Sequence, residues 1–460
     1  MEHGRHFVLT GGKVVTPEAV FEGAVEVRDG RIVRVGRFDG REAESAEIIP
    51  LHSAWVLPGL IDMHINDGVA ILRNLSTPEE HAARLAEVSR GLINRGITGI
   101  FLATLAGPPE SLRDYLEGLA IFRGRWKTEP SGTEICGVLI EGTFMNPDNC
   151  GAHNPEYIFP PDRKILDFLL EPGVARMVNI APEYGDKALE LISYVTERGL
   201  VAAAGHCKPT ADQLSRAVDR GLKYFIHLLN GPTGSNTKAF YGGGTLEGAL
   251  RDDRLAVELI VDLVHVDQPV LRDVISRKEA RRVVAVSDSM FPSDSPEAEF
   301  EINGILGLID RENNVISVVG RRAENGEVTE VAPPALETCD FSTLYGSAVN
   351  MDTVFPNTVS LLAAEQQGNF VRSHPALPLE EAVRQASLMC STNPARITGL
   401  LDGSAGRKVG ALKEGFEADI VVAEIAAGGW GVKFLPREVY LAGVPMLGRS
   451  GKAVGAAGGK

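Results

Sequence analysis

The sequence predicts an α/β protein: a (β/α)8 barrel of the TIM type, with a small β-sandwich domain built from both chain termini. Three observations lead there. Eight apolar runs recur through the middle of the chain, separated by helix-like polar stretches. The two ends share a β-rich texture that the middle lacks. The polar residues of the runs gather at their C-terminal ends.

Residues 7–50 come in short alternating bursts, FVLTGGKVVTP, GAVEVRDGRIVRVG and AEIIP, with Asp29-Gly30 as a hairpin turn signal. GALKEGFEADIVVAE (410–424) and REVYLAGVPML (437–447) repeat that texture. One small domain of residues 1–56 and 402–460 accounts for both ends, and 57–401 remain for the barrel. The final GKAVGAAGGK reads as a loose tail.

The eight runs are LPGLIDMH (57–64), ITGIFLAT (97–104), CGVLIEG (136–142), ARMVNIAPE (175–183), LVAAAGHC (200–207), YFIHLLN (224–230), LAVELIVDLVHV (255–266) and RVVAVSDSM (282–290). A helical stretch such as STPEEHAARLAEVSRGLINRG (76–96), with Ser76 or Thr77 as N-cap, suits a crossover between parallel strands. An open doubly wound sheet would also alternate, but it would more often carry a Gly-rich phosphate turn after its first strand, and none is there. NGPTGSNTK (230–238) lacks the GxxxxGK[ST] spacing of a P-loop. Residues 291–345 read as an excursion of mixed β and loop character. A helical finish, LEEAVRQASLMCSTNPARITGL (379–400), follows.

Hydrophobic content of 44% and charged content of 23% are those of a soluble globular protein. A net charge of −15 argues against nucleic acid or an anionic membrane as partner. Five Cys (136, 150, 207, 339, 390) without CxxC spacing read as reduced thiols in a cytoplasmic protein. The N-terminus has no signal pattern. The longest apolar stretch, 255–266, carries Glu258 and Asp262 and is too short to span a bilayer.

The chemistry lies at the strand ends: His64, Glu141, Glu183, His206, His227, His265 and Asp288, with His153 in the loop after the third strand. In a parallel barrel these ends converge on one rim. Any one of them could merely cap its strand. As a set they would be costly to bury unpaired, and a divalent metal resolves that cost by taking Glu and His as ligands. VLPGLIDMHIND (56–67) holds half of a His-x-His metal pair, with Asn66 in the second place.

LPGLIDMHIND, LIEGTFMNP followed by GAHNP, APE, AAGHC, IHLLNG, DLVHVD, VSDS and LYGS occur in the order seen in N-acetylglucosamine-6-phosphate deacetylases of the amidohydrolase superfamily, which the chain resembles over most of its length. The resemblance implies hydrolysis of an N-acetylamino sugar phosphate, N-acetylglucosamine 6-phosphate giving glucosamine 6-phosphate and acetate. It implies one divalent metal on Glu141, His206 and His227, with Zn²⁺ first and Fe²⁺ also suited to such a site. Asp288 matches the general acid/base and His153 the residue beside the amide carbonyl. Asn230, Gly231 and His265 match the pocket for the phosphate end. Some relatives hold a second metal on His-x-His. Here a second site at His64 would be weak or absent, because Asn66 is a poor ligand. A homodimer is also implied.

The chain departs from that family in two places. Glu141-Gly142-Thr143 replaces Glu-Gly-Pro, and the phosphate-binding Arg lent by a neighbouring subunit has no counterpart. Lys238 is the nearest substitute, a point charge without the bidentate fork. Two alternatives follow: a deacylase of an unphosphorylated N-acyl compound on the same metal, or a non-catalytic scaffold. A scaffold has no need of Glu141, His206, His227 and Asp288 together. Cyclic-amide hydrolases often carry a bridging Lys at the fourth strand, where this chain has Ala181-Pro182-Glu183.

Overall fold

The computed structural model describes residues 5–38, 43, 45–66, 75, 77–231, 234–239, 242–290, 299–310, 312, 314–323, 325–330, 344–365, 374–428 and 431–447. The C-terminal GKAVGAAGGK, Ser76 and Cys339 lie outside them.

Every one of the eight apolar runs overlaps a strand: β1 (Leu60–Ile65), β2 (Ile97–Ala103), β3 (Glu134–Phe144), β4 (Ala175–Ile180), β5 (Val201–Ala204), β6 (Leu222–Phe225), β7 (Ala256–Ile260) and β8 (Val283–Val286), half of the sixth lying ahead of its run. They pair in chain order, all parallel. A parallel bridge between Ile65 and Ser289 closes the barrel, and the Asn66 amide donates to the Ser289 carbonyl at 2.7 Å. The runs look continuously apolar because both strand faces are buried. Ile61, Met63, Phe101, Leu139, Met177 and Val284 pack inside the barrel. Their alternates, among them Leu60, Ile100, Ile140 and Val178, pack against the helices.

The first crossover helix, α1 (Pro78–Ile93), starts where the capping signal placed it. Thr77 caps it, with Glu80 returning the bond to the Thr77 backbone. The helical finish is α-helical over Leu379–Ser387 and Asn393–Thr398, joined by a π-helical turn at Leu388–Thr392. It plugs the N-terminal face of the barrel: the Asn393 amide donates to the carbonyls of Ala280 and Val283, each at 2.7 Å.

The ends of the chain form the additional β domain. Strands His6–Val15, Val20–Arg28, Arg31–Gly36, Glu47–Pro50 and Trp55–Pro58 join Ile420–Gly428, Gly431–Leu441 and Val444–Leu447 in one hydrogen-bonded sheet. Phe7, Leu9, Val25, Ile49, Phe416 and Ile420 share its core. Asp29 and Gly30 both take positive φ, 51° and 78°, as a two-residue hairpin turn of this hand needs. Arg407 ties this domain to the barrel, reaching Glu134 at the start of β3 (2.9 Å) and Glu417 and Asp419 (2.6 and 2.7 Å).

The excursion after β8 is an antiparallel sheet of Glu299–Ile302, Ile305–Asp310, Val315–Arg322, Val328–Glu330 and Leu344–Ser347. Its apolar face, with Phe300, Ile305, Ile316 and Tyr345, packs on Leu105 and Met290 at the barrel rim. The four described cysteines are free. Among the described residues no helix is long and apolar enough to cross a membrane.

Replacing Arg407 by Ala leaves Glu134 and Asp419 without their cation, and Glu417 with Arg31 alone at 3.8 Å. The variant is expected to lose about 3–5 kcal/mol of stability, as for one partner removed from a buried ion cluster, read as a lower thermal midpoint. An unchanged midpoint would show that the cluster does not hold the two parts together.

Candidate active site

The C-terminal strand ends open into a cavity of about 480 Å³ whose lining includes Glu141, His153, His206, His227, His265 and Asp288. Glu141 is its centre, 1% exposed near the end of β3. The Thr104 hydroxyl fixes its backbone, donating to the Glu141 carbonyl (2.7 Å) and accepting from its amide (2.9 Å). Gly142 must follow it: a Cβ there would lie 2.3 Å from the Ala106 nitrogen. Three of the predicted residues sit in left-handed backbone, His206 (φ 47°), His227 (φ 25°) and Asp288 (φ 51°). Such conformations cost energy and cluster at functional sites.

Four imidazoles surround the Glu141 carboxylate, and their outer nitrogens set their chemistry. His206 Nδ1 donates to the Asn149 carbonyl at 2.8 Å, which leaves Nε2 as a lone pair 3.4 Å from Glu141 Oε1. Burial, with His227 and His153 adding repulsion, pushes the His206 pKa down to about 3, so it stays neutral. His227 Nδ1 likewise donates to a carbonyl, that of Asn230 (3.2 Å), and Nε2 lies 3.1 Å from Glu141 Oε1. Burial opposes a proton on His227, but Glu141 raises its pKa, and a cation would compete for the same pair of atoms.

His153 is reversed. Its Nδ1 accepts from the Ala106 amide at 3.1 Å, so in the neutral ring Nε2 carries the hydrogen. Burial holds its pKa at about 4, which keeps it neutral. His153 therefore offers the cavity an N–H donor and not a lone pair. His64 has carboxylates on both sides: Glu258 at Nδ1 (2.7 Å) and Glu141 Oε2 at Nε2 (3.0 Å). Burial works against its charge, yet Glu258, Glu141 and Asp288 hold its pKa well above the usual value. The two carboxylates favour its protonated form and leave neither nitrogen free.

Ligand atoms of His64, Glu141 and His227, and of Glu141, His153 and His206, lie within 4.8 Å of one another. Neither group joins Glu141, His206 and His227 as one set, but by tautomer His206 and His227 each turn an Nε2 lone pair towards Glu141 Oε1, at 3.4 and 3.1 Å, and these donor types fit a divalent metal.

Asp288, past the end of β8, is buried, and burial raises its pKa despite the neighbouring histidines. The Asn66 side-chain Nδ2 donates to its Oδ1 at 2.5 Å. Sequence reasoning treated Asn66 as a weak ligand; here it orients a carboxylate. Asn230, Gly231 and His265 line the cavity, while Lys238 is exposed and is not among the lining residues. His265 Nδ1 is 2.6 Å from Asp262 Oδ2. Burial disfavours a charge on His265, but Asp262 overcomes it and raises the pKa. Glu183 points away, accepting from the Asn146 side chain (2.8 Å) and the Lys208 amide (2.6 Å).

Sequence reasoning missed Glu258, which lies within the β7 run and also accepts from the Tyr224 hydroxyl (2.5 Å) and the His227 amide (3.1 Å). A lone carboxylate in a strand buried on both faces was the available signal. Arg321, on the inserted sheet, was missed as well.

A buried Glu/His centre at the C-terminal rim of a parallel barrel defines a metal-dependent hydrolase site. The chain belongs to the amidohydrolase family, whose model matches residues 55–444, and membership implies a divalent metal. Within that family its similarity is to amino-sugar-phosphate deacetylases. It is 26% identical over 293 residues to the N-acetylglucosamine-6-phosphate deacetylase of Bacillus subtilis, covering 63% of this chain and 72% of that one. It is 26% identical over 420 residues to the N-acetylgalactosamine-6-phosphate deacetylase of Escherichia coli O157:H7, covering 91% and 95%. A solved Mycobacterium smegmatis N-acetyl-D-glucosamine-6-phosphate deacetylase, an Asp-to-Ala mutant in complex with N-acetyl-D-glucosamine-6-phosphate, superposes with a TM-score of 0.73. It is 25% identical, with 96% and 99% of the two chains covered.

Glu258→Ala strips the acceptor from His64, Tyr224 and the His227 amide at once. It is expected to destabilise the protein by about 3–5 kcal/mol, and Glu258→Gln by less, in thermal unfolding. Equal, negligible effects would remove Glu258 from the support of the site.

Proposed function

We propose that this chain is a metal-dependent deacetylase of N-acetylamino sugar phosphates, hydrolysing N-acetylglucosamine 6-phosphate to glucosamine 6-phosphate and acetate. The observation that carries this reading is the division of labour among the histidines: His206 and His227 turn Nε2 towards Glu141, while His153 turns an N–H into the same cavity.

Glu141, His206 and His227 would hold one divalent ion, Zn²⁺ first and Fe²⁺ as the alternative, which supplies a Lewis acid and an acidified water. Asp288 takes the proton of the attacking water and returns it to the departing amine; its raised pKa suits both transfers. The His153 N–H hydrogen-bonds the amide oxygen as charge develops there. His64, held between two carboxylates, balances buried charge instead of ligating, so a second metal is weak or absent. Asn230 offers a buried side-chain nitrogen with no partner among the described residues, which with Gly231 and His265 suits the phosphate end. We place the enzyme in the cytoplasm as a homodimer, in which exposed Lys238 would be available to a neighbouring subunit.

A second reading keeps the chemistry and drops the phosphate; that Lys238 does not line the cavity of its own chain favours it. Amine release from N-acetylglucosamine 6-phosphate, N-acetylgalactosamine 6-phosphate and plain N-acetylglucosamine separates the two. Strong preference for a phosphate ester supports the first, and inert esters support the second.

Asp288→Asn should keep its metal and lose at least ~100-fold in kcat. Near-normal turnover would refute the acid/base role. His206→Ala should lose the ion in elemental analysis, and a fully metallated variant would count against this ligand set.

A further inference from the structure

We propose that Arg321, on the sheet inserted after β8, binds the substrate's phosphate, so that the guanidinium comes from this chain's own fold. This rests on the phosphate-ester reading above.

Arg321 is next to last in the strand Val315–Arg322 and pairs in register with Ile305. It lines the cavity, and it is the one Lys or Arg among the described residues that do. Its neighbour Arg322, on the other face of the strand, is spent on Glu301, with contacts of 2.9 and 3.0 Å. Arg321 has no carboxylate partner among the described residues. The single hydrogen bond of its side chain there runs from Nη2 to the Gly151 carbonyl at 3.3 Å. A guanidinium has five N–H donors in a rigid fork, so most remain for an oxyanion.

Gly151 brings the fork close to the chemistry. It has φ 59°, and a Cβ on it would lie 2.9 Å from His206 Cε1, so only a glycine separates Arg321 from that imidazole. The sheet carrying Arg321 is anchored as it crosses the barrel mouth. The Asn154 side chain donates to the Asn303 carbonyl (2.9 Å), the Asn303 side chain to the Ala106 carbonyl (2.8 Å), and the Met290 amide to the Ser347 carbonyl (2.9 Å).

The charges of the cavity favour such a group. Glu141, Asp148 and Asp288 also line it, the first answered by the metal and imidazoles assigned above, and a phosphate dianion entering beside the other two gains from a guanidinium in the same lining. A guanidinium can bind a phosphate bidentately, and Arg321 lines the same cavity as Asn230 and His265.

The test uses full-length, metal-replete protein and the variants Arg321→Gln and Arg321→Lys. In Arg321→Gln the ratio of kcat/KM for N-acetylglucosamine 6-phosphate over N-acetylglucosamine is expected to fall on the order of 100-fold, mainly through KM. Affinity for glucosamine 6-phosphate, titrated calorimetrically, should fall by a similar factor, and Arg321→Lys should lie between. If the wild type prefers the ester and Arg321→Gln keeps that preference and that affinity, the assignment is overturned and the deacetylase reading stands. If the wild type itself shows no preference, the phosphate reading fails instead, and with it the ligand assigned to Arg321.

Discussion

The site depends on the burial of one carboxylate. Glu141 is shut inside the barrel, where an uncompensated charge would be prohibitively costly, and four imidazoles are arranged to answer it. Burial alone would neutralise it, but His64 and His227 hold its pKa well below the usual value. His64 is in turn locked by Glu258, which Tyr224 also holds. The network runs from β1 through β3 to β6 and β7, so the strands that close the barrel also fix the charge at its mouth.

Within that field, backbone groups decide what each histidine can do. A carbonyl behind His206 and another behind His227 fix their hydrogens on the outer nitrogen, and an amide behind His153 does the reverse. Residues of one type thus present an acceptor or a donor through a single partner each. Asp288 is set in the same way, by Asn66 on one side and by the Ser347 amide, which donates to its carbonyl at 2.8 Å. That last contact brings the inserted sheet to the candidate site: its final strand supports Asp288, and Arg321 on another strand reaches the cavity.

Much of this was legible in the sequence, for a physical reason. Parallel strands buried on both faces must be written as continuous apolar runs, so all eight could be located, and a parallel barrel can only gather their C-terminal ends on one rim. Glu141, His206, His227 and Asp288 could be named because charged or polar residues at those ends break an otherwise apolar pattern. The Asp29-Gly30 hairpin and the Thr77 cap were readable because local backbone geometry demands those residue types.

What the tertiary structure alone decided is partnership. Nothing local to DMHIND says that Asn66 meets Asp288, more than two hundred residues away in sequence, or that His64 lies between two carboxylates from other strands. Glu258 and Arg321 carried no motif, since their roles arise from what packs beside them. Sequence determined the fold and the inventory of reactive groups, because these follow from burial periodicity and residue chemistry. Protonation, orientation and access were left to the folded chain, because each depends on atoms brought together only when the barrel closes.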